Sequence, residues 1–159
     1  MISEEDKAFL REAIRLSIEN VNEDAGGPFG AVIVKDGEII AKGSNKVTVI
    51  NDPTAHAEVM AIRNACAELE DFNLEGCTIY TSCEPCPMCL SAIYWARVER
   101  IVYANSRQDA AAIGFDDNFL YNEIPKPLEE RNIPIEQTLA DEAIKAFKLW
   151  EKDDDKVHY

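Results

Sequence analysis

A chain of 159 residues, 47% hydrophobic and 29% charged, has room for one domain with a single core and the balance of an ordinary soluble globular protein. Its 16 Lys and Arg face 30 Asp and Glu, and a formal charge of −14 without a basic cluster argues against a nucleic-acid partner. No apolar run approaches the roughly 18–20 residues that cross a bilayer, and the opening Met1-Ile2-Ser3-Glu4-Glu5-Asp6 lacks the basic start and apolar stretch of a signal peptide, so no membrane partner is expected and the cytoplasm is the expected location.

In chain order, Ser3 is placed to cap a first helix, with Asp6 three residues on. Phe9, Leu10, Ala13, Ile14, Ser17, Ile18 and Val21 then recur at helical spacing, and Gly26-Gly27-Pro28 breaks the pattern. Gly30–Lys35 and Glu38–Lys42 flank Asp36-Gly37, a dipeptide that accepts positive φ, and predict a hairpin. A polar loop over 45–54 precedes a second helix over Ala55–Leu69. A strand over Cys77–Thr81, a loop over Ser82–Pro85, a third helix over Cys86–Ala96 and a strand over Arg100–Ala104 follow. This alternation predicts parallel strands covered by helices on both faces. The stretch 105–134, with Gly114, Pro125, Pro127 and Pro134, reads as a long loop with short helical pieces, a length often tied to function. Ile135–Leu139 is predicted to be a last strand, and Asp141–Trp150 a last helix with Ala143, Ile144, Phe147 and Trp150 on one face. The acidic tail ends in Tyr159. No linker interrupts the chain, so residues 1–159 are expected to form one domain.

Two short strings carry chemistry. His56-Ala57-Glu58 and Pro85-Cys86-Pro87-Met88-Cys89 together spell His-x-Glu and Pro-Cys-x-x-Cys, the signature of the zinc deaminases. One imidazole and two thiolates make three zinc ligands, His56, Cys86 and Cys89, and leave a fourth position for water. His56 falls in the first turn of the predicted second helix. Cys86 and Cys89, three apart at the start of the third, share a face. Helix N-termini favour thiolate over thiol, the form that zinc binds. Glu58, two residues from His56, is placed to take a proton from water, hand it to a ring nitrogen and protonate a leaving amine. The competing reading is a closed structural zinc or iron–sulfur site on Cys83-x-x-Cys86-x-x-Cys89. It needs a fourth ligand, and the second histidine, His158, reads as a solvated tail residue. Cys83 is then a neighbour of the site, not a ligand. Cys66 and Cys77 read as small buried hydrophobes, and the odd count of 5 cysteines argues against a disulfide framework.

With these motifs the chain resembles the cytidine deaminase-like superfamily over nearly its whole length, and within it the branch of small guanine deaminases. The run Asn51-Asp52-Pro53-Thr54-Ala55-His56-Ala57-Glu58 is shared with the tRNA adenosine deaminases. Thr81-Ser82-Cys83-Glu84-Pro85-Cys86-Pro87-Met88-Cys89, Ala92-Ile93-Tyr94-Trp95-Ala96-Arg97, Gly114-Phe115-Asp116-Asp117 and Tyr159 point to the guanine branch. The resemblance implies an α/β fold of three layers, α/β/α, around a central mixed sheet of five strands. It implies a zinc cofactor and a homodimer whose C-terminal segment, about 140–159, crosses to the partner. The implied reaction is hydrolysis of guanine, a purine base, to xanthine and ammonia. Guanine contacts would fall on Asn45, Asp117 and Tyr159, with Phe29 and Trp95 as aromatic walls. An amide meets an edge that both donates and accepts, a carboxylate accepts N–H groups, and a terminal aromatic excludes water. The alternatives are another free base or nucleoside (cytosine, cytidine, an amino-triazine), adenosine in tRNA, and a non-catalytic zinc-binding module. An intact Glu58 argues against the last.

Overall fold

The computed structural model describes residues 2–159, in two compact units, one ending at Asp117 and the other spanning Asn118–Tyr159. In the first unit, helix α1 (Glu4–Asn22) opens with the expected capping box: Ser3 Oγ accepts from the Asp6 N–H at 3.0 Å, and Asp6 Oδ2 accepts from the Ser3 N–H at 2.7 Å. Strands β1 (Gly30–Lys35) and β2 (Glu38–Ser44) form the predicted hairpin, with Asp36 and Gly37 at φ 51° and 79°. A short helix α2 (Val47–Ile50) sits inside the stretch expected to be loop. Then come α3 (Ala57–Leu69), β3 (Cys77–Cys83), α4 (Pro87–Trp95), β4 (Arg100–Asn105) and α5 (Arg107–Ala112).

The strands lie in the order β2-β1-β3-β4, antiparallel except for the β3–β4 pair, so the sheet is mixed as expected. Side chains alternate across it. Ala31, Ile33 and Ile79 point to one face and pack with Ala57, Ala61 and Ala65 of α3 and Ile93 of α4. Val32, Val34, Tyr80 and Val102 point to the other face and pack with Phe9, Leu10 and Leu16 of α1. Helices therefore cover both faces, the three-layer arrangement anticipated. The run of alanines on α3 lets that helix lie almost directly on β2. A Cβ at Gly43 would stand 2.3 Å from the Ala57 carbonyl oxygen and 2.4 Å from the Ala61 nitrogen.

Asp6 also ties α1 to the sheet. Its carboxylate accepts from the Tyr80 hydroxyl at 2.7 Å and from both terminal nitrogens of Arg100, at 2.8 and 3.1 Å. Together with the Ser3 N–H, these donors hold Asp6 well below the usual carboxylate range, Arg100 contributing most.

The second unit holds α6 (Asn118–Glu123), a 3-10 turn (Leu128–Glu130) and α7 (Ala140–Lys152). Arg131 donates to the carbonyls of Ile124 and Lys126, and Glu123 pairs with Lys126 and accepts from the Asn132 N–H. His158, expected in solvent, is exposed and stands edge-on to Trp150.

Two expectations are corrected. The sheet has four strands among the described residues, not five, and Ile135–Leu139 is not a strand. A strand is stable only when its backbone finds a ladder partner, and this segment has none. Its last residue, Leu139, takes a left-handed φ of 57° as it enters α7.

Candidate metal centre and active site

Two helix starts build the centre. His56 is the residue immediately before α3, extended at φ −70° and ψ 157°, and Cys86 occupies the same position before α4, at φ −65° and ψ 167°. Neither makes a side-chain capping bond, so both side chains are free to turn toward each other. The sequence placed His56 inside the second helix; it stands one residue outside, with Glu58 in the first turn. Pro87 fits the first position of α4, where its missing N–H costs nothing.

The donor atoms of His56, Cys86 and Cys89 all lie within 4.8 Å of one another. His56 Nδ1 is 3.6 Å from Cys86 Sγ and 3.5 Å from Cys89 Sγ. Zinc takes nitrogen at about 2.0–2.1 Å and sulfur at about 2.3 Å, and a tetrahedral angle then sets the two about 3.6 Å apart. The observed separations fit that geometry. One ring nitrogen offers a single hydrogen-bonding position and cannot serve two thiols well. A cation between the three atoms satisfies all of them. His56, Cys86 and Cys89 are therefore a three-ligand set suited to zinc.

Cys86 is pulled down to about 4, by its hydrogen bond with Cys89 and then by His56. Cys89, with Cys86 beside it and burial around it, is held up and keeps its proton. The Cys86 sulfur in turn raises the His56 pKa. Zinc binds the thiolate form, so a bound divalent cation would take the place of the thiol protons.

Glu58 is only 6% exposed, and its Oε2 accepts from the Cys89 thiol at 3.5 Å. Burial raises its pKa. The carboxyl thus stands at the edge of the metal set and holds a proton more readily than an exposed glutamate does. Cys83 is buried beside it, pushed up to about 11 by burial and by the Glu58 charge, and its thiol donates to the Ser106 carbonyl at 3.6 Å. Cys83 does not belong to the three-ligand group. Cys77 is fully buried, as expected of a small hydrophobe, whereas Cys66, expected to be buried too, is half-buried.

The remaining site residues fall into three groups. Asn45 and Phe29 are bonded directly, Asn45 N–H to Phe29 carbonyl at 3.1 Å, and the Phe29 ring meets Phe115 edge-on at 5.0 Å. Asp117 follows two residues later; burial raises its pKa, Arg107 opposes that, and the Cys86 sulfur adds to it. Asn45, Phe29 and Asp117 are thus linked through Phe115, and Asp117 lies within electrostatic reach of Cys86. Trp95 is 67% exposed and lines a cleft of 410 Å³ along α4, together with Leu90, Ser91, Tyr94 and Arg97. None of the metal ligands lines that cleft. Tyr159 is exposed at the end of the second unit.

Asn20 escaped the sequence reading. It is buried, donates to the carbonyls of Gly27 and Asn45 at 2.8 and 2.9 Å, and accepts from Lys46. Asn45 Oδ1 accepts in turn from the N–H groups of Gly27 and Val47, both at 3.3 Å. Gly26 lies so close, at φ 136°, that a Cβ there would sit 2.1 Å from the Asn45 carbonyl oxygen. The available signal was spacing: Asn20 continues the buried Ala13–Ser17 stripe of α1.

Comparison with known proteins agrees with the geometry. Residues 3–105 match the family described as the cytidine and deoxycytidylate deaminase zinc-binding region. A guanine deaminase of Bacillus subtilis (strain 168) is 56% identical over 96% of this chain and 98% of its own. The X-ray structure of guanine deaminase from Bacillus subtilis superposes with a TM-score of 0.94 at 56% identity, covering 96% of this chain and 98% of that one. A tRNA-specific adenosine deaminase of Aquifex aeolicus (strain VF5) is 45% identical, over 60% of this chain and 63% of its own. The matched stretch contains His56, Glu58, Cys86 and Cys89, and the match to the Bacillus subtilis protein runs almost end to end: the chain belongs to the cytidine and deoxycytidylate deaminase family of zinc enzymes.

Proposed function

We propose that the chain hydrolyses guanine to xanthine and ammonia. The observation that carries this reading is its 56% identity, over 96% of its length, to a guanine deaminase. Held by His56, Cys86 and Cys89, zinc supplies Lewis acidity and water activated at neutral pH. Glu58 does the proton work. It accepts a proton from the attacking water and passes it to the ring nitrogen beside the amine-bearing carbon. It then takes the remaining proton from the newly added hydroxyl and delivers it to the amine, so the C–N bond breaks and ammonia leaves as the carbonyl forms. Its raised pKa suits a group that must give back each proton it takes.

Asn45 and Asp117 hold the base in this reading. Oδ1 of Asn45 is occupied by backbone donors, which leaves its amide NH₂ for an acceptor on guanine. The carboxylate of Asp117 accepts guanine N–H groups. Phe29 and Trp95 serve as aromatic walls, and Tyr159 closes the site against water. The assembly is a homodimer in which the segment of about 140–159 crosses to the partner. Support comes from α7, whose Ile144, Phe147, Leu149 and Trp150 are exposed in a single copy. The cytoplasm is the proposed compartment, in keeping with five free cysteines. No helix among the described residues is long and apolar enough to cross a membrane. The charge of −14 weighs against tRNA.

Ammonia release measured side by side on guanine, cytosine, cytidine, adenosine and a tRNA anticodon stem-loop tests the reading. Guanine should turn over fastest. Inosine formation in the RNA with no turnover of guanine would reverse it.

A further inference from the structure

Ahead of the metal ligand Cys86 stand two side chains that the reaction does not use, Cys83 at the end of β3 and Glu84 in the loop that follows. Both reach the same place. The Glu84 N–H donates to the Asn105 carbonyl at 2.8 Å, and Glu84 Oε2 accepts from the Arg107 N–H at 3.1 Å. Between them, the Cys83 thiol donates to the Ser106 carbonyl at 3.6 Å. Three consecutive residues, Asn105 to Arg107, are thus fastened to two consecutive residues where β3 runs into the ligand loop. Beyond this clasp, Ser106 caps α5, with its oxygen accepting from the Asp109 N–H at 3.3 Å. The helix ends at Ala112, Gly114 follows at φ 96°, and Phe115 then stands edge-on to Phe29. The segment from Asn105 to Asp117 therefore has two anchors, the clasp at its start and the aromatic pair near its end.

The geometry points to Glu84, assisted by Cys83, as a positioning residue that couples the metal-ligand loop to the segment presenting Asp117 to the substrate. It rests on the proposed role of Asp117 in holding guanine. Glu84 touches neither metal nor base; it sets where α5 begins, and α5 sets where Asp117 ends. A bond from a backbone N–H to a carboxylate is of the stronger kind, and its loss should loosen one anchor without removing a ligand.

The test is a set of zinc-loaded variants assayed on guanine, with zinc content measured on each. Glu84→Ala should raise KM about tenfold, with zinc stoichiometry unchanged and kcat within about threefold. Glu84→Gln should recover most of the loss, because its amide oxygen still accepts from the Arg107 N–H. A purely structural role would lower Tm without separating KM from kcat and without this rescue. Asp117→Asn tests the underlying reading by itself; an unchanged KM there removes Asp117 from the substrate and the coupling with it. If Asp117→Asn raises KM, the Glu84→Ala effect should shrink in the Asp117→Asn background, since one chain of contacts is then broken twice. Fully additive effects, or a Glu84→Ala protein with unaltered KM, would overturn the coupling while leaving the Asp117 contact standing. Should Glu84→Ala fail to fold, Glu84→Ser, whose side chain is too short to reach the Arg107 N–H, carries the same comparison, and an unaltered KM there would overturn it equally.

Discussion

Replacing Gly43 with alanine should damage the active site from the far side of a helix. Gly43 is buried in β2, opposite Ala31 in the ladder, with the start of α3 resting on it. The added methyl carbon would lie 2.3 Å from the Ala57 carbonyl oxygen, 2.4 Å from the Ala61 nitrogen and 3.0 Å from the Ala61 Cα. All three are backbone atoms, so no side chain can rotate away. Restoring ordinary contact near 3.4 Å requires α3 to lift by about 1 Å at its first turn. Ala57 sits between His56 and Glu58, the proposed ligand and the proposed proton carrier, so the lift reaches both. Overpacking of this kind costs about 1–3 kcal/mol, and for a chain of this length each kcal/mol lowers Tm by about 2–4 °C. The kinetic effect should be larger in proportion, because a 1 Å misplacement of reacting groups can cost about 10²-fold. Zinc should bind more weakly too, as ligand distances tolerate only about ±0.2 Å. The assay is guanine turnover at saturating zinc, with a zinc-competition titration and a melting curve on the same preparation. A Gly43→Ala protein with wild-type Tm, zinc affinity and kcat/KM would refute the reasoning, since it would mean that α3 can yield without moving His56 or Glu58.

Further outcomes follow from the same geometry. Glu58→Gln should keep zinc and fold while losing about 10²–10⁴-fold in ammonia release; near wild-type turnover would remove Glu58 from the mechanism. Wild-type protein should carry one zinc per chain, and Cys86→Ala or Cys89→Ala should lose it on dialysis, so full retention by either variant would sink the ligand assignment. The Glu12 carboxyl is held at about 2, below its ordinary 4.5, first by Arg15 and then by Lys42, so its stabilising contribution is present above pH 4.5 and is lost as pH falls from there toward 2. The Tm gap between wild type and Glu12→Gln should narrow across that window, and a constant gap would contradict the pairing. Deleting residues 154–159 should leave zinc in place and sharply lower guanine turnover, and mixing that protein with Glu58→Gln should restore part of it if the tail acts in trans; unchanged turnover after deletion would make Tyr159 an idle end.

The cluster of His56, Cys86 and Cys89 with Glu58 beside it was legible because its residues are local in sequence. His-x-Glu and Cys-x-x-Cys each fit within one helix start, and helix starts announce themselves through Pro87 and the apolar periodicity that follows. The hairpin was legible for the same reason, since Asp36-Gly37 dictates its own turn. The fifth strand was not, because Ile135–Leu139 has the residue types of a strand while pairing is decided by a neighbour that sequence spacing does not name. Ile18 and Val21 fit the helical pattern of α1 yet are exposed, and Ser17 and Asn20 are buried in their stead. The pattern shows that a face exists; the polar partners Gly27 and Asn45 decide which residues occupy it. The joint between Glu84 and Arg107 was illegible for a similar reason, as its bonds run to backbone atoms 21 and 23 positions away.

The bond between Asp6 and Arg100 bears on the order in which the molecule can be made. The two residues are 94 positions apart. During synthesis at about 5–20 residues per second, the acid emerges about 5–20 s before the cation that will neutralise it. Tyr80, its other distant partner, arrives only shortly before. The first helix can form early, since its capping box lies within its own first turn, but it cannot be locked to the sheet until the last strand is available. For that interval Phe9, Leu10 and Leu16 can meet Val32 and Val34 of β1 and then Tyr80, but Val102 and the Arg100 clamp are still missing. A pause in translation before Arg100 would therefore prolong a state in which α1 lies on the sheet without its charged clamp, whereas a pause after it would not.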